Sequence, residues 1–109
     1  MTGSRWVTLR DEVSGADERH LRATVTDTGA LRIDGQDFGP STAPVSPDGE
    51  YEWVTVVSRD HLPTLIGLLG GSPGEDVLDL LERAWTGPRS YGFERVLRES
   101  GIPFDRHVF

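Results

Sequence analysis

The chain has 109 residues, enough for one modest hydrophobic core, so the sequence predicts a single domain over residues 1–109. Its 18 acidic and 11 basic residues give a formal net charge of -7, which disfavours nucleic acid as a partner. There is no cysteine, which excludes disulfides and thiolate ligands, and every basic residue is an arginine, which excludes lysine chemistry. Since no stretch has the length of a membrane span or the pattern of a secretory signal, we expect a cytoplasmic protein that binds no membrane.

The first part of the chain has the alternation of apolar and polar residues that is typical of β-strands. A short strand is expected at residues 6–9, followed by a polar connection over residues 13–18. Residues 20–34 alternate strictly on both sides of an Asp-Thr-Gly-Ala turn at 27–30. This pattern predicts a β-hairpin.

A long loop is expected over residues 35–49, because this segment contains three prolines and three glycines. Phe38 and Val45 are the apolar side chains that would hold the loop to the body of the domain. The next segment, 50–57, is the strongest strand signal in the chain. Its continuous apolar character from Trp53 onward favours a central strand that is covered on both faces.

The second half of the chain changes to a helical period. Apolar residues recur at helical spacing in three segments, and glycine or proline separates them. Ser72 to Glu75 has the pattern of a capping box with Pro73 at the first helical position, and Ser90 is a candidate cap for the third helix. The expected helices and a final strand cover residues 62–69, 73–85, 91–99 and 104–109.

Strands followed by helices predict an α+β domain. We expect an antiparallel sheet of about four to five strands, drawn mostly from the N-terminal half, with two to three helices packed on one face. A doubly wound fold is excluded, because strands and helices do not alternate along the chain.

The most unusual feature is an acidic segment, since residues 34–52 contain five acids and no base. Tyr51 and Trp53 adjoin these acids and belong to the residue types that anchor interfaces. A solvated acidic surface is the alternative, and a cation site is disfavoured because the acids lack the spacing of a calcium loop. The predicted partner-binding residues are Asp34, Asp37, Asp48, Glu50, Tyr51, Glu52 and Trp53.

The histidines suggest no active site. His20, His61 and His107 are scattered along the chain, and no serine lies in a nucleophile motif. We therefore expect no catalytic residue, no metal and no cofactor. A small hydrolase or metal enzyme that uses His61 or His107 with a nearby acid is kept as the weakest alternative.

A resemblance is carried by short stretches in the middle of the chain: residues 36–40, 50–53, 61–63 and 69–70. Their combination resembles small acidic proteins of GC-rich bacteria, some of which are similar to the immunity partners of polymorphic or contact-dependent toxins. The resemblance covers about residues 30–70. It implies a protein without catalytic activity that blocks a toxin, often a basic nuclease, with an acidic surface.

The leading expectation is therefore a protein-binding module, an immunity or inhibitor protein, that presents its acidic segment to a basic protein partner. Acidic surfaces of this kind accelerate association with basic partners and reject others. The alternative from another class is a small homo-oligomeric structural domain, such as a homodimer, in which exposed aromatic side chains bury one another.

Overall fold

The computed structural model describes residues 5–44 and 48–109. Its strands form one antiparallel sheet in which neighbours in sequence are also neighbours in space. The strands are β1 (Trp6–Ser14), β2 (Asp17–Val25), β3 (Leu31–Phe38), β4 (Glu50–Val57) and β5 (Asp105–Val108). The predicted α+β architecture is confirmed.

Three helices lie between β4 and β5 in the sequence: α1 (Leu62–Leu68), α2 (Val77–Ala84) and α3 (Arg89–Glu99). Their buried side chains join the inward-facing strand residues in one core, so all three helices cover the same face of the sheet. None of the helices in the described part of the chain has the length and apolar character that a membrane span requires.

The N-terminal hairpins are longer than the alternation of apolar residues suggests. The hairpin over residues 20–34 is confirmed, but the expected connection at 13–18 is wrong. The first two strands continue into it and leave only Gly15 and Ala16 in the turn, with Gly15 at a φ of 61°. Backbone hydrogen bonds extend both strands beyond their last buried apolar residues. This extension lies outside the hydrophobic core, so its side chains do not have to be apolar.

The expected loop over residues 35–49 begins later than predicted. Residues 35–38 belong to β3, and Gly35 is there for packing, since a Cβ at this position would overlap the indole ring of Trp53. The remaining loop starts at Gly39, whose N–H donates to the carbonyl of Gly49 at 2.8 Å. Phe38 contacts the His20 ring, and Val45 lies outside the described residues.

β4 is an inner strand, but the expectation that both of its faces are covered is wrong. Trp53, Thr55 and Val57 are buried, whereas the residues between them are only half-buried. The apolar run at Trp53–Val57 therefore does not mean burial on both faces. Val54 and Val56 lie on the face that the helices do not cover and are partly accessible.

The helix starts also differ from prediction. Asp76 caps α2 through the N–H of Asp79, whereas the capping-box contact from the Ser72 N–H to Glu75 closes a turn before the helix. Ser90 lies inside the first turn of α3, where its hydroxyl donates to the Gly87 carbonyl. α2 therefore begins at Val77, one turn later than the capping-box pattern predicts, and α3 begins at Arg89, before its predicted cap.

Candidate functional site

Strand alternation divides the predicted partner-binding residues between the two faces of the sheet. Asp34, Glu50 and Glu52 lie on the face opposite the helices, as the register of β3 and β4 shows. The other strand residues of the set, Asp37, Tyr51 and Trp53, lie on the helix-covered face. Asp48 precedes β4 and accepts a hydrogen bond from the Glu50 N–H at 3.1 Å.

We call the face without helices the open face; part of it forms a polar concavity. Its middle row runs across all five strands through Thr8, Arg22, Asp34, Val54 and His107. The concavity has a volume of about 830 Å³ and is lined from Thr8 to Phe109. It is formed by the alternate residues of strands whose other side chains build the core.

One half of the open face is acidic. A row through Asp11, His20, Gln36 and Glu52 crosses the first four strands, and the next row contains Glu18 and Glu50. We call these the acidic rows; they hold four carboxylates and no arginine. The crowding of these groups raises the pKa of Glu50 above its ordinary value, first through a hydrogen bond with Glu52.

His20 lies between two carboxylates of the acidic rows. Its Nδ1 is 2.9 Å from Asp11 Oδ1, and its Nε2 is 3.2 Å from Glu18 Oε1. Beside it, the Gln36 side chain donates to Glu52 at 2.9 Å. No sequence motif indicates these contacts, because cross-strand pairing brings Asp11 to His20 and the pleat of β2 brings Glu18 to it.

The other half of the open face contains both of its arginines, and we call its two rows the arginine rows. The first is the middle row, with Arg22, and the second contains Trp6, Thr24, Arg32, Val56 and Asp105. Arg32 contacts Asp34 at 3.0 Å, and the Arg22 guanidinium lies 5.2 Å from the Trp6 ring. The arginines are thus balanced by two carboxylates, Asp34 and Asp105.

Exposed aromatic side chains lie at two opposite edges of the open face. Trp6 on β1 is 55 % exposed, and Phe109 beyond β5 is 72 % exposed. The N–H of Phe109 donates to the carbonyl of Glu52, which continues the pairing of β4 with β5. The Phe109 ring also contacts the His107 ring at a centroid distance of 4.7 Å. These two residues have the accessibility that an interface anchor needs.

The predicted anchors are located elsewhere. Trp53 is only 5 % exposed, and its ring packs against Tyr51 on the helix-covered face at a centroid distance of 5.3 Å. The prediction that Trp53 provides an accessible anchor conflicts with this burial, because strand parity turns its side chain into the core.

Asp37 is also held on the helix-covered face. It accepts a bond from Arg19 at 2.9 Å, and burial raises the pKa of this carboxyl despite that ion pair. One of its oxygens and the Trp53 Nε1 are buried without a protein partner. These groups are screened from an approaching protein, so Asp37 does not extend the acidic rows.

A separate ionic network attaches α3 to β1. A bulge at Leu9 turns Arg10 to the helix-covered face, where its side chain contacts Glu94 at 2.6 Å and Ser90 at 2.9 Å. The guanidinium also lies 3.6 Å from the centre of the Tyr91 ring. This network positions a helix, and its guanidinium is not accessible to a ligand, since Arg10 is 3 % exposed.

The histidines of the enzyme alternative lie in different parts of the fold. His61 ends a short 3₁₀ turn before α1, whereas His107 is on the open face of β5 with Asp105. Within residues 5–44 and 48–109, no three side chains of histidine, aspartate or glutamate are grouped closely enough to hold a metal ion. Comparison with known proteins found no matching family model, curated protein or solved structure.

Proposed function

We propose that this chain is a protein-binding module without catalytic activity that uses its open face to bind a basic protein. The observation that carries the proposal is the charge of this face. Six carboxylates, Asp11, Glu18, Asp34, Glu50, Glu52 and Asp105, stand against Arg22 and Arg32. Asp11, Asp34 and Glu52 line the concavity, and the other three lie elsewhere on the open face. Such an excess of negative charge attracts a basic partner and orients it during encounter.

The more specific form of this proposal is an inhibitor of the immunity type. A concave acidic surface is suited to cover a convex basic surface, including one that surrounds the active site of a toxin. The resemblance of residues 30–70 to toxin-immunity proteins supports this form. Trp6 and Phe109 would supply the desolvated contacts, since charge alone contributes more to association rate and specificity than to affinity.

The test compares two variants that each neutralise three exposed carboxylates. The open-face variant carries Asp11→Asn, Glu18→Gln and Glu50→Gln. The control variant carries Asp60→Asn, Glu82→Gln and Glu99→Gln, which are exposed positions outside the open face. Both variants have the same net charge, so any difference between them reports the location of the charge.

Each protein is immobilised and used to capture partners from an extract of the source organism, and association rates are then measured with the purified partner. We expect the same basic protein on the wild type and the control. The open-face variant should associate about tenfold more slowly at low salt and show a weaker dependence on salt. Equal association rates for all three proteins, or capture of no basic protein, would contradict the proposal.

The homo-oligomer alternative is separated by sedimentation. Under the proposal the wild type sediments as a monomer without its partner, because two copies of the open face, each with six carboxylates and two arginines, repel one another. A dimer that dissociates in the Trp6→Ser or Phe109→Ser variant would instead assign the open face to self-association.

A further inference from the structure

We propose that the element received by the open face is an amphipathic α-helix of the basic partner, with its N-terminal end over the acidic rows. The inference rests on the proposed function and adds the structure and direction of the bound segment. It is carried by the backbone pairing of the sheet, the size of the concavity and the separation of charge along the strands.

Backbone hydrogen bonding favours a helix over an extended segment. β2, β3 and β4 are paired on both sides, so the open face offers no free backbone groups to an incoming strand. An extended segment that lay on this face would bury its own N–H and C=O groups without partners, which is costly. A helix satisfies these groups internally and can present side chains alone.

The first edge of the sheet is also unfavourable for strand addition. The bulge at Leu9 interrupts the register of β1, and the Leu9 carbonyl already accepts a bond from the Gly87 N–H at 2.8 Å. Bulges of this kind end regular pairing at an edge. The other edge, β5, is four residues long and has the charged Arg106 at its centre.

The dimensions of the open face suit one helix. Five strands about 4.8 Å apart give a surface of about 19 Å, which accommodates a helix of about 10 Å with side chains on either side. Half-buried Val54 and Val56 line its floor, and Trp6 and Phe109 border it. A helix with one apolar stripe would place that stripe on β4 between the two aromatic side chains.

Charge separation along the strands sets the direction of the helix. The acidic rows lie at one end of the strands with four carboxylates, whereas Arg22 and Arg32 at the other end are balanced by Asp34 and Asp105, so the negative charge is concentrated at the first end. A helix carries about half a positive charge at its N-terminus and half a negative charge at its C-terminus. Its dipole is therefore stabilised when the N-terminal end lies over Asp11, Glu18, Glu50 and Glu52, and basic residues in the first turns add to this.

The probes are two synthetic peptides of about four turns, each held helical by a hydrocarbon bridge on its outer side. Both have the same apolar stripe and the same composition. The forward peptide has arginines in its first turn and glutamates in its last, and the reversed peptide has these charges exchanged. Circular dichroism verifies equal helicity, calorimetry gives Kd, and amide chemical shifts locate the bound peptide.

We expect the forward peptide to bind the open face about tenfold more tightly than the reversed peptide. The double variant Arg22→Gln with Arg32→Gln should reduce this preference to about threefold, because the C-terminal contact is lost. The matched variant Arg89→Gln with Arg95→Gln, on α3, should leave the preference unchanged.

The failures of the two proposals are distinguishable. Equal affinity for both peptides, or no binding of either, overturns the helix inference, while the proposed function is still judged by the association rate of the captured partner. Peptide shifts confined to β5 or to the helices also overturn the inference. If the captured partner associates with the open-face variant as fast as with the wild type, the proposed function fails as well.

Discussion

Arg10 is the most deeply buried charged side chain in the described part of the molecule, at 3 % exposure. Its charge is met by Glu94, its Nε–H by Ser90, and its planar face by the Tyr91 ring. Tyr91 in turn donates to Glu12 at 2.7 Å. The stability of this group depends on complete pairing, because an arginine in the interior has no water to replace a lost partner.

Removing the Arg10 partner should therefore destabilise the fold. We expect Glu94→Gln to lower the free energy of unfolding by about 2–4 kcal/mol, somewhat less than for a fully buried pair because Glu94 is partly exposed. Denaturant unfolding measures the change. Glu99→Gln on the same helix is the control and should change stability by less than about 0.5 kcal/mol. Equal effects of the two substitutions would show that the Arg10 charge does not need Glu94.

At the scale of single elements, β3 and β4 depend on one close contact. The Trp53 ring lies directly over Gly35 on the neighbouring strand, at a position where any side chain would overlap it. A glycine inside a strand ordinarily weakens it, since no side chain is present to pack. Here the indole ring occupies that space and compensates for the missing side chain.

A methyl group at position 35 should test this contact. We expect Gly35→Ala to destabilise the protein by about 1–3 kcal/mol, because the Trp53 ring must move within a packed core. Gly67→Ala in α1 is the matched control, since its Cβ would meet open space. That substitution should be neutral or stabilise by up to about 1 kcal/mol. Thermal unfolding separates the two, and a stabilising Gly35→Ala would contradict the contact.

At the scale of the whole molecule, where the net charge is -7, the negative charge of the open face is concentrated at one end of its strands. The acidic rows place four carboxylates in neighbouring positions of two adjacent rows. Like charges this close together repel one another, which acts against folding. The pKa of Glu50 is raised, first by its hydrogen bond with Glu52 and then by desolvation. Under the proposed function, an acidic binding surface would therefore lower the stability of the unbound domain.

Neutralising this surface should stabilise the unbound protein. We expect the open-face variant Asp11→Asn, Glu18→Gln and Glu50→Gln to raise Tm by a few degrees at low salt. The increase should disappear at high salt, which screens exposed charges. The control variant at Asp60, Glu82 and Glu99 should show a smaller increase. A fall in Tm would mean that pairing with His20 outweighs the repulsion.

The sequence predicts the features that depend on residues close together in the chain and misses those that depend on distant residues. The 20–34 hairpin, the strand at 50–57 and the α+β class could be predicted, because period and turn residues are local properties of the chain. The predicted start of the loop over 35–49 is wrong because Gly35 counts among the glycines that predict it, although it belongs to β3. A glycine is required at position 35 by the ring of Trp53, which lies eighteen positions later, and no local pattern reveals this contact.

The candidate site was predictable only in part. Asp34, Glu50 and Glu52 lie on the open face, whereas Asp37, Tyr51 and Trp53 do not. The alternation of side chains along a strand is enough to separate these two groups. In β4, however, the apolar run hides whether the odd-numbered or the even-numbered residues face the core. The contributions of Asp11, Glu18, Arg22 and Phe109 required the cross-strand register, since these residues are far apart in sequence.

The sequence by itself determined the α+β class, most of the strands and helices, the acidic balance and the exclusion of cysteine and lysine chemistry. These properties depend on composition and on patterns within a few residues. Only the tertiary structure decided which acids share a surface, because a sheet joins residues from distant strands and alternates them between its faces. It also decided which aromatic side chains are accessible: covering one face with helices buries Trp53 and leaves Trp6 and Phe109 exposed.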